Sequence, residues 1–306
     1  MATLRTEEGR IALGGLTMRI DAQITKAPLL AQTALLLGLT ATAQAADLDE
    51  LREQGSIRVA VANEAPYGYL DEGGEGRGAG PEVARQVLDE LGIENIEWVV
   101  TTFGDLIPGL REGRFDMAAA EMAIRPARCQ RVLFSAPNTS YGEGLLVRAA
   151  NPLEIGGYAD FAERDDLRVA VLEGATQVGV MAALGVPDGR VIPIGENAAA
   201  IDTLLNDQAD GYAGTSLTVS QLDTQHPGVE VVQNFEDPVI DGEIVRSWGA
   251  FTFPPDAELL RDAFDAILLG YRNTQAWEDT LEGHGFTQND ILNAFRFDTE
   301  WLCGRE

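Results

Sequence analysis

The stretch Phe115-Asp116-Met117-Ala118-Ala119-Ala120-Glu121-Met122-Ala123-Ile124-Arg125-Pro126-Ala127-Arg128-Cys129 decides the architecture of this chain. It opens with an apolar run of strand length and closes on a turn marked by Pro126. Two arginines, Arg125 and Arg128, stand just past the strand. A guanidinium is a planar, permanently charged fork that pairs bidentately with a carboxylate. The carboxyl end of a strand beside a crevice of an α/β sheet is a common seat for small molecules. Taken by themselves, two arginines after a turn are most simply solvated surface residues.

On both sides of this stretch, short apolar runs alternate with helical patterns. Upstream, the periodicity predicts a helix at 47–54, strands at 57–62 and 97–100, a helix at 81–91 with Pro81 in its first turn, and a helix at 104–112. The acidic, glycine-rich 71–80 reads as a surface turn. Its glycines do not fit a dinucleotide fingerprint, because no strand immediately precedes them and the spacing is wrong. Downstream, strands are expected at 167–172, 190–194, 211–214, 229–232 and 245–253. Helices are expected at 178–184, 197–207, 217–225, 256–271, 274–284 and 288–296. Alternating strands and helices indicate an α/β architecture.

The words around Arg128 resemble the periplasmic solute-binding proteins of ABC importers, extracellular solute-binding protein family 3, the polar amino-acid class. The carriers are Glu121-Met122-Ala123-Ile124-Arg125-Pro126-Ala127-Arg128, then Val132-Leu133-Phe134-Ser135-Ala136-Pro137, and upstream 103–116. The resemblance runs from about Leu51 to the C-terminus. Within the class it points to the branch that binds ectoine and hydroxyectoine, through 61–67, 107–110, 125–129 and the terminal Leu302-Cys303. It implies a two-lobed periplasmic binding protein fold of type II, with two crossings between lobes and the ligand cleft between them. Lobe 1 is then 46–138 plus 244–306, and lobe 2 is 139–243.

Carried over residue by residue, the resemblance implies a binding site. Arg128 holds the ligand carboxylate, Glu64 meets the cationic part of the ring, and Tyr67 and Phe103 are aromatic walls. Core aromatics are the alternative reading for both, but each sits in a loop after a strand, which favours the cleft. Glu121, Met122 and Ala123 lead into the anchor from the strand. Gly174, Ala175 and Thr176 form a strand-to-helix turn whose free N–H groups suit a carboxylate; read locally, Thr176 is as well an ordinary helix cap. Amino-acid binders of the class place an Asp where this chain has Thr215, so an α-ammonium would lack its partner here. Two positions depart from the ectoine branch: Ala123 replaces a third aromatic, and Glu121 replaces a glycine. Tyr69, Tyr141 or Trp248 are candidates for the missing wall, and Glu121 either faces the ligand or turns to solvent.

The expected solute is therefore the zwitterion ectoine or hydroxyectoine, delivered to the permease subunits of an ABC importer. A polar amino acid or another cationic osmolyte is the alternative, and a dehydratase-like cleft enzyme a weaker one. No enzyme activity, catalytic residue, cofactor or metal is expected. The two histidines, His226 and His284, fit no triad or metal pattern. The chain is expected to be a monomer.

The composition agrees with an exported, acidic protein. Of 306 residues 49 are Asp or Glu against 22 Lys or Arg, for a formal net charge of −27, which excludes nucleic acid as a partner. Lys26 is the sole lysine. An acidic, lysine-poor surface suits high salt, although codon bias accounts for the arginines. Residues 1–45 read as a signal peptide: basic Arg19 and Lys26, an apolar run 28–39, and Ala43-Gln44-Ala45 as the cleavage site, with Met18 an alternative start. The mature protein belongs in the periplasm. An even count of two cysteines in an exported chain suggests a disulfide. Two buried thiols are the alternative, but the resemblance includes cysteines at both Cys129 and Cys303.

Overall fold

The computed structural model describes residues 48–305. The expected signal peptide lies outside the described residues. Ten strands form one continuous sheet with the order Asn95–Val100, Ser56–Val61, Met117–Ala123, Arg246–Phe253, Thr139–Arg148, Gly211–Thr215, Val169–Leu172, Val191–Ile194 along its main path. Each half repeats one plan. Three strands run parallel, the first in sequence at the centre, and a long strand closes the set antiparallel.

The long strands Thr139–Arg148 and Arg246–Phe253 join the halves. They pair with each other over Thr139↔Gly249 to Gly142↔Arg246. Downstream of Gly142, the first pairs with lobe 2 strands at Gly211–Thr215 and Val229–Val231. The chain returns along Arg246–Phe253, and the segment just before it contributes a small hairpin, Val239–Ile240 with Glu243–Ile244. Its neighbours Phe235 and Val245 pack on the lobe 2 core. We propose the lobe boundary there, within a few residues of 138 and 245.

Each half is buried on both faces, as parallel strands covered by helices require. In lobe 1, Val59 and Ala60 point into different clusters, one around Val83, Phe264 and Trp277, the other around Leu106, Phe115 and Trp248. In lobe 2, Val169 and Ala170 do the same, toward Tyr158 and Met181 or toward Leu204 and Tyr212. The element types follow the periodicity, with ends displaced by one to three residues. Elements shorter than about five residues, such as the helix Pro126–Cys129, have no period to read.

The expected surface turn at 71–80 is in part interior. Gly76, Gly78 and Gly80 are buried. A Cβ on Gly80 would lie 2.7 Å from the Ala119 carbonyl, so glycine serves close packing there. The helix Ala79–Glu90 begins at this point, and its first amides bond the carbonyls of Pro66 and Tyr67. That pins the loop carrying Glu64 and Tyr67 to the lobe.

Candidate functional site

A cleft of about 410 Å³, including its open mouth, lies between the lobes. Lobe 1 contributes Glu64, Tyr67, Phe103, Glu121, Ala123, Arg128 and, from the crossing strand, Tyr141. Lobe 2 contributes Ala175, Thr176, Gln177, Tyr212, Gly214 and Thr215.

Arg128 sits in the four-residue helix Pro126–Cys129 just past the strand end. Its Nη1 donates to the Ala123 carbonyl at 2.9 Å and its Nη2 to the Gly174 carbonyl at 2.8 Å, the second bond reaching the other lobe. Its guanidinium carbon lies 5.5 Å from the centroid of the Phe103 ring. Among the described residues no carboxylate lies within ion-pair distance of Arg128. Burial brings the guanidinium down to about 10, well below its ordinary value.

Glu64 lies in the loop after the first strand. It is 9 % exposed, and its Oε1 accepts from the Thr218 hydroxyl at 2.8 Å. Burial raises its pKa, opposed by the bonds to Thr218 and Asn197. Tyr67 donates to the Thr215 hydroxyl at 2.7 Å, again across the lobes, and its ring lies 5.0 Å from that of Tyr141. Gly174 adopts φ +76°, and a Cβ there would stand 3.0 Å from Gly104 Cα. A glycine permits both the left-handed turn and this approach of the lobes.

Other site residues sit differently from expectation. Glu121 lines the cleft, but its carboxylate neither faces the cleft unpartnered nor reaches solvent. Asn138 donates to Oε1 and Thr139 to Oε2, both at 2.7 Å, and the group is 1 % exposed. Its φ of +48° coincides with an irregular register against Arg246–Phe253, which turns the side chain inward. Met122 packs into the core with Leu106 and Trp248 rather than lining the cleft. The carbonyl of Gly174 touches Arg128, while its neighbours Ala175 and Thr176 form the cleft wall. The helix Thr176–Ala183 has no side-chain cap, so Thr176 does not act as one. Thr215 caps Ser216–Gln225, accepting from the Thr218 amide at 3.2 Å.

Of the candidates for the missing wall, Tyr141 lines the cleft and donates to the Glu121 carbonyl at 2.8 Å. Trp248 is held in the core by its bond to the Asn293 carbonyl, and Tyr69 lies in a two-stranded hairpin. Five cleft residues were missed, Ala120, Leu172, Gln177, Tyr212 and Gly214. Tyr212 sits in a run too short to fix which face points where. Gln177 directly follows the expected turn, and extending that turn by one residue finds it.

Cys129 and Cys303 are joined, with an S–S distance of 2.03 Å. Among the described residues there is no group of three or more His, Cys, Asp or Glu arranged to hold a metal, and no helix is long and apolar enough to cross a membrane.

Residues 57–285 match the profile of bacterial extracellular solute-binding proteins, family 3. The chain is 46 % identical over 279 residues to a probable amino-acid ABC transporter periplasmic-binding protein, y4tE, of Sinorhizobium fredii, covering 90 % of this chain and 92 % of that one. Among solved structures it resembles EhuB in complex with hydroxyectoine, at 30 % identity and a TM-score of 0.76, over 85 % of this chain and 98 % of that one. It also resembles an ancestral amino-acid-binding protein described as a precursor of cyclohexadienyl dehydratase, at 25 % identity and a TM-score of 0.67, over 78 % and 98 %. The fold is thus the two-lobed type II periplasmic binding protein fold.

Proposed function

The chain belongs to the bacterial extracellular solute-binding proteins, family 3, and on that premise we propose that it captures ectoine or hydroxyectoine and delivers it to the permease of an ABC importer. It acts as a monomer in the periplasm, the location named for its relative. The observation that carries the reading is electrostatic. Among the described residues the cleft is lined by one cation, Arg128, and two buried acids, Glu121, already held by Asn138 and Thr139, and Glu64, which makes no ion pair with Arg128. Each charge is costly while buried without a counter-charge. A compact zwitterion supplies both: a carboxylate for the fork of Arg128 and a delocalised amidinium for Glu64. The rings of Tyr67, Phe103 and Tyr141 give the amidinium π faces, each contributing roughly 0.5–2 kcal/mol.

Two further points favour a ring cation over an α-ammonium. Thr215 offers a hydroxyl already engaged by Tyr67 and Thr218, not a carboxylate. Glu121, the other acid of the wall, has both oxygens occupied by Asn138 and Thr139. Hydroxyectoine in the EhuB complex supports the same solute class. A polar amino acid is the second reading, favoured by the description of the Sinorhizobium relative. The chain matches cyclohexadienyl dehydratase of Pseudomonas aeruginosa over only 35 % of its length.

Calorimetric titration of the exported protein with ectoine, hydroxyectoine, glycine betaine, glutamine, arginine and histidine tests the proposal. The ectoines are expected to bind most tightly. Tighter binding of any of the three amino acids would overturn the solute while leaving the solute-binding role intact.

A further inference from the structure

Behind the cleft lies a buried carboxylate that the ligand reading above does not use. Glu143 stands on the crossing strand opposite Thr215 and is 3 % exposed. It does not line the cleft. Its Oε2 accepts from Gln177 Nε2 at 2.6 Å and from the Tyr158 hydroxyl at 3.2 Å. Among the described residues its Oε1 has no hydrogen-bond partner. Gln177, in the first turn of Thr176–Ala183, is equally buried but does line the cleft. The other end of its amide, Oε1, lies 3.4 Å from the hydroxyl of Thr176, itself a cleft residue. An ionised carboxylate only accepts, so it draws the nitrogen end of that amide inward.

We propose that Glu143 is a positioning residue of the binding site, acting through Gln177: it locks the amide so that its carbonyl oxygen, not its NH₂, faces the bound solute as an acceptor for a ligand N–H or O–H. The inference rests on the solute-binding reading of the cleft but not on which solute is bound. Around Glu143 the charged and titratable groups are Arg125 and Asp237, of opposite sign, and the hydroxyls of Tyr158, Tyr67 and Tyr212. Burial holds the Glu143 carboxyl up at about 7. Once protonated it can donate to Gln177 Oε1, and the amide is free to turn. The fixed acceptor therefore belongs to the ionised form and is lost as pH falls through that value.

A double-mutant cycle with ectoine as the probe tests this at pH 8. Gln177→Met keeps the chain length and removes the amide. Glu143→Gln keeps the shape and removes the obligate acceptor. Each is expected to weaken binding by about tenfold, the worth of one hydrogen bond. Glu143→Gln should cost nothing further in the Gln177→Met background. Additive losses would overturn the proposal. Wild-type affinity should also fall from pH 8 to pH 6, with that step absent in Glu143→Gln. Glu121 is held near 7 as well, so only the difference between the two proteins reports Glu143.

A second arm needs no ligand. The side-chain amide resonances of Gln177, identified by their loss in Gln177→Met, should exchange slowly with solvent and shift through pH 7 in the wild type. Amide signals that do not respond to pH overturn the proposal whether or not a solute binds. Failure of the wild type to bind ectoine, with the amide behaving as expected, would reject the solute and leave the positioning role standing.

Discussion

Glu121 is a carboxylate buried at the point where the two lobes meet, with only neutral donors bonded to it. Desolvation pushes it up to about 7, and the bonds from Thr139 and Asn138, then the charge of Arg272, pull it partly back. A carboxyl whose folded pKa exceeds its unfolded value contributes stability that is complete below about 4.5 and lost as pH rises through about 7. Glu121→Gln should therefore gain on the wild type between pH 5 and pH 8, by up to about 3 kcal/mol, read from urea unfolding at both pH values. A difference that does not change with pH would contradict this. The same position explains a glycine. A Cβ on Gly249 would meet the Thr139 hydroxyl at 2.5 Å and the Glu121 carbonyl at 2.8 Å. At Arg128 the expectation concerns affinity. Arg128→Ala should cost about 2–5 kcal/mol of binding, because the ligand carboxylate is left buried and unpaired. Arg128→Lys should recover little, since a point charge does not reproduce the fork. Calorimetry against ectoine measures both.

At the scale of elements, the helix Pro126–Cys129 is too short to hold Arg128 unaided. It is tied by the disulfide to Thr299–Gly304. That helix is fixed in turn by Trp301 stacked on Phe297, centroids 3.7 Å apart, and by Phe297 edge-on to Trp248 at 4.9 Å. The bridge spans 174 residues, and the chain-entropy limit for such a loop is about 5 kcal/mol. Replacing both cysteines by serine should lower stability by several kcal/mol at most and weaken ligand binding, because the anchor loses its tether. Chemical unfolding and titration of the same preparation separate the two effects. Retained stability and retained affinity together would deny the bridge its role. The crossing strands have a clip of their own: Arg246 donates to the Ser140 hydroxyl and the Asp290 carboxylate, both at 2.8 Å, which fastens the helix Gln288–Asn293 to the strands.

For the molecule as a whole, hydrogen bonds span the cleft from Arg128 to Gly174, from Tyr67 to Thr215, and from Thr218 and Asn197 to Glu64. They describe a closed arrangement, and we propose that the lobes open about the paired strands at 139–142 and 246–249. Small-angle scattering should give a smaller radius of gyration with saturating solute. Thr218→Ala, lacking one of these bonds, should enlarge the ligand-free radius. An identical profile in all three samples would mean a cleft that does not open. The charge of −27 acts at the same scale. Carboxylates repel across the surface until salt shortens the screening length from about 10 Å at 0.1 M to about 3 Å at 1 M. The melting temperature should rise over that range of NaCl, and a flat or falling curve would reject self-repulsion as a limit on stability.

The chain by itself determined its class of architecture, because strand and helix periods are local and the inner strands of each parallel half-sheet, such as Met117–Ala123 and Val169–Leu172, are apolar on both faces. It also determined the cleft residues Glu64, Tyr67, Phe103, Arg128 and Thr215, since loops at strand ends carry short motifs that survive without their surroundings. Tertiary structure alone decided which side chains complete the wall. Tyr212 faces the cleft through the pairing of strands about 70 residues apart, and Tyr141 through its pairing with Ser247 about 100 residues later; the five-residue strand of Tyr212 holds no record of which face that is. It turned Glu121 inward through an irregular register against a strand some 130 residues later. It set Glu143 behind Gln177, two residues 34 apart in sequence whose amide and carboxylate meet only when lobe 2 has folded. Periodicity is written residue by residue, whereas the direction of a buried polar side chain depends on which distant donor reaches it first.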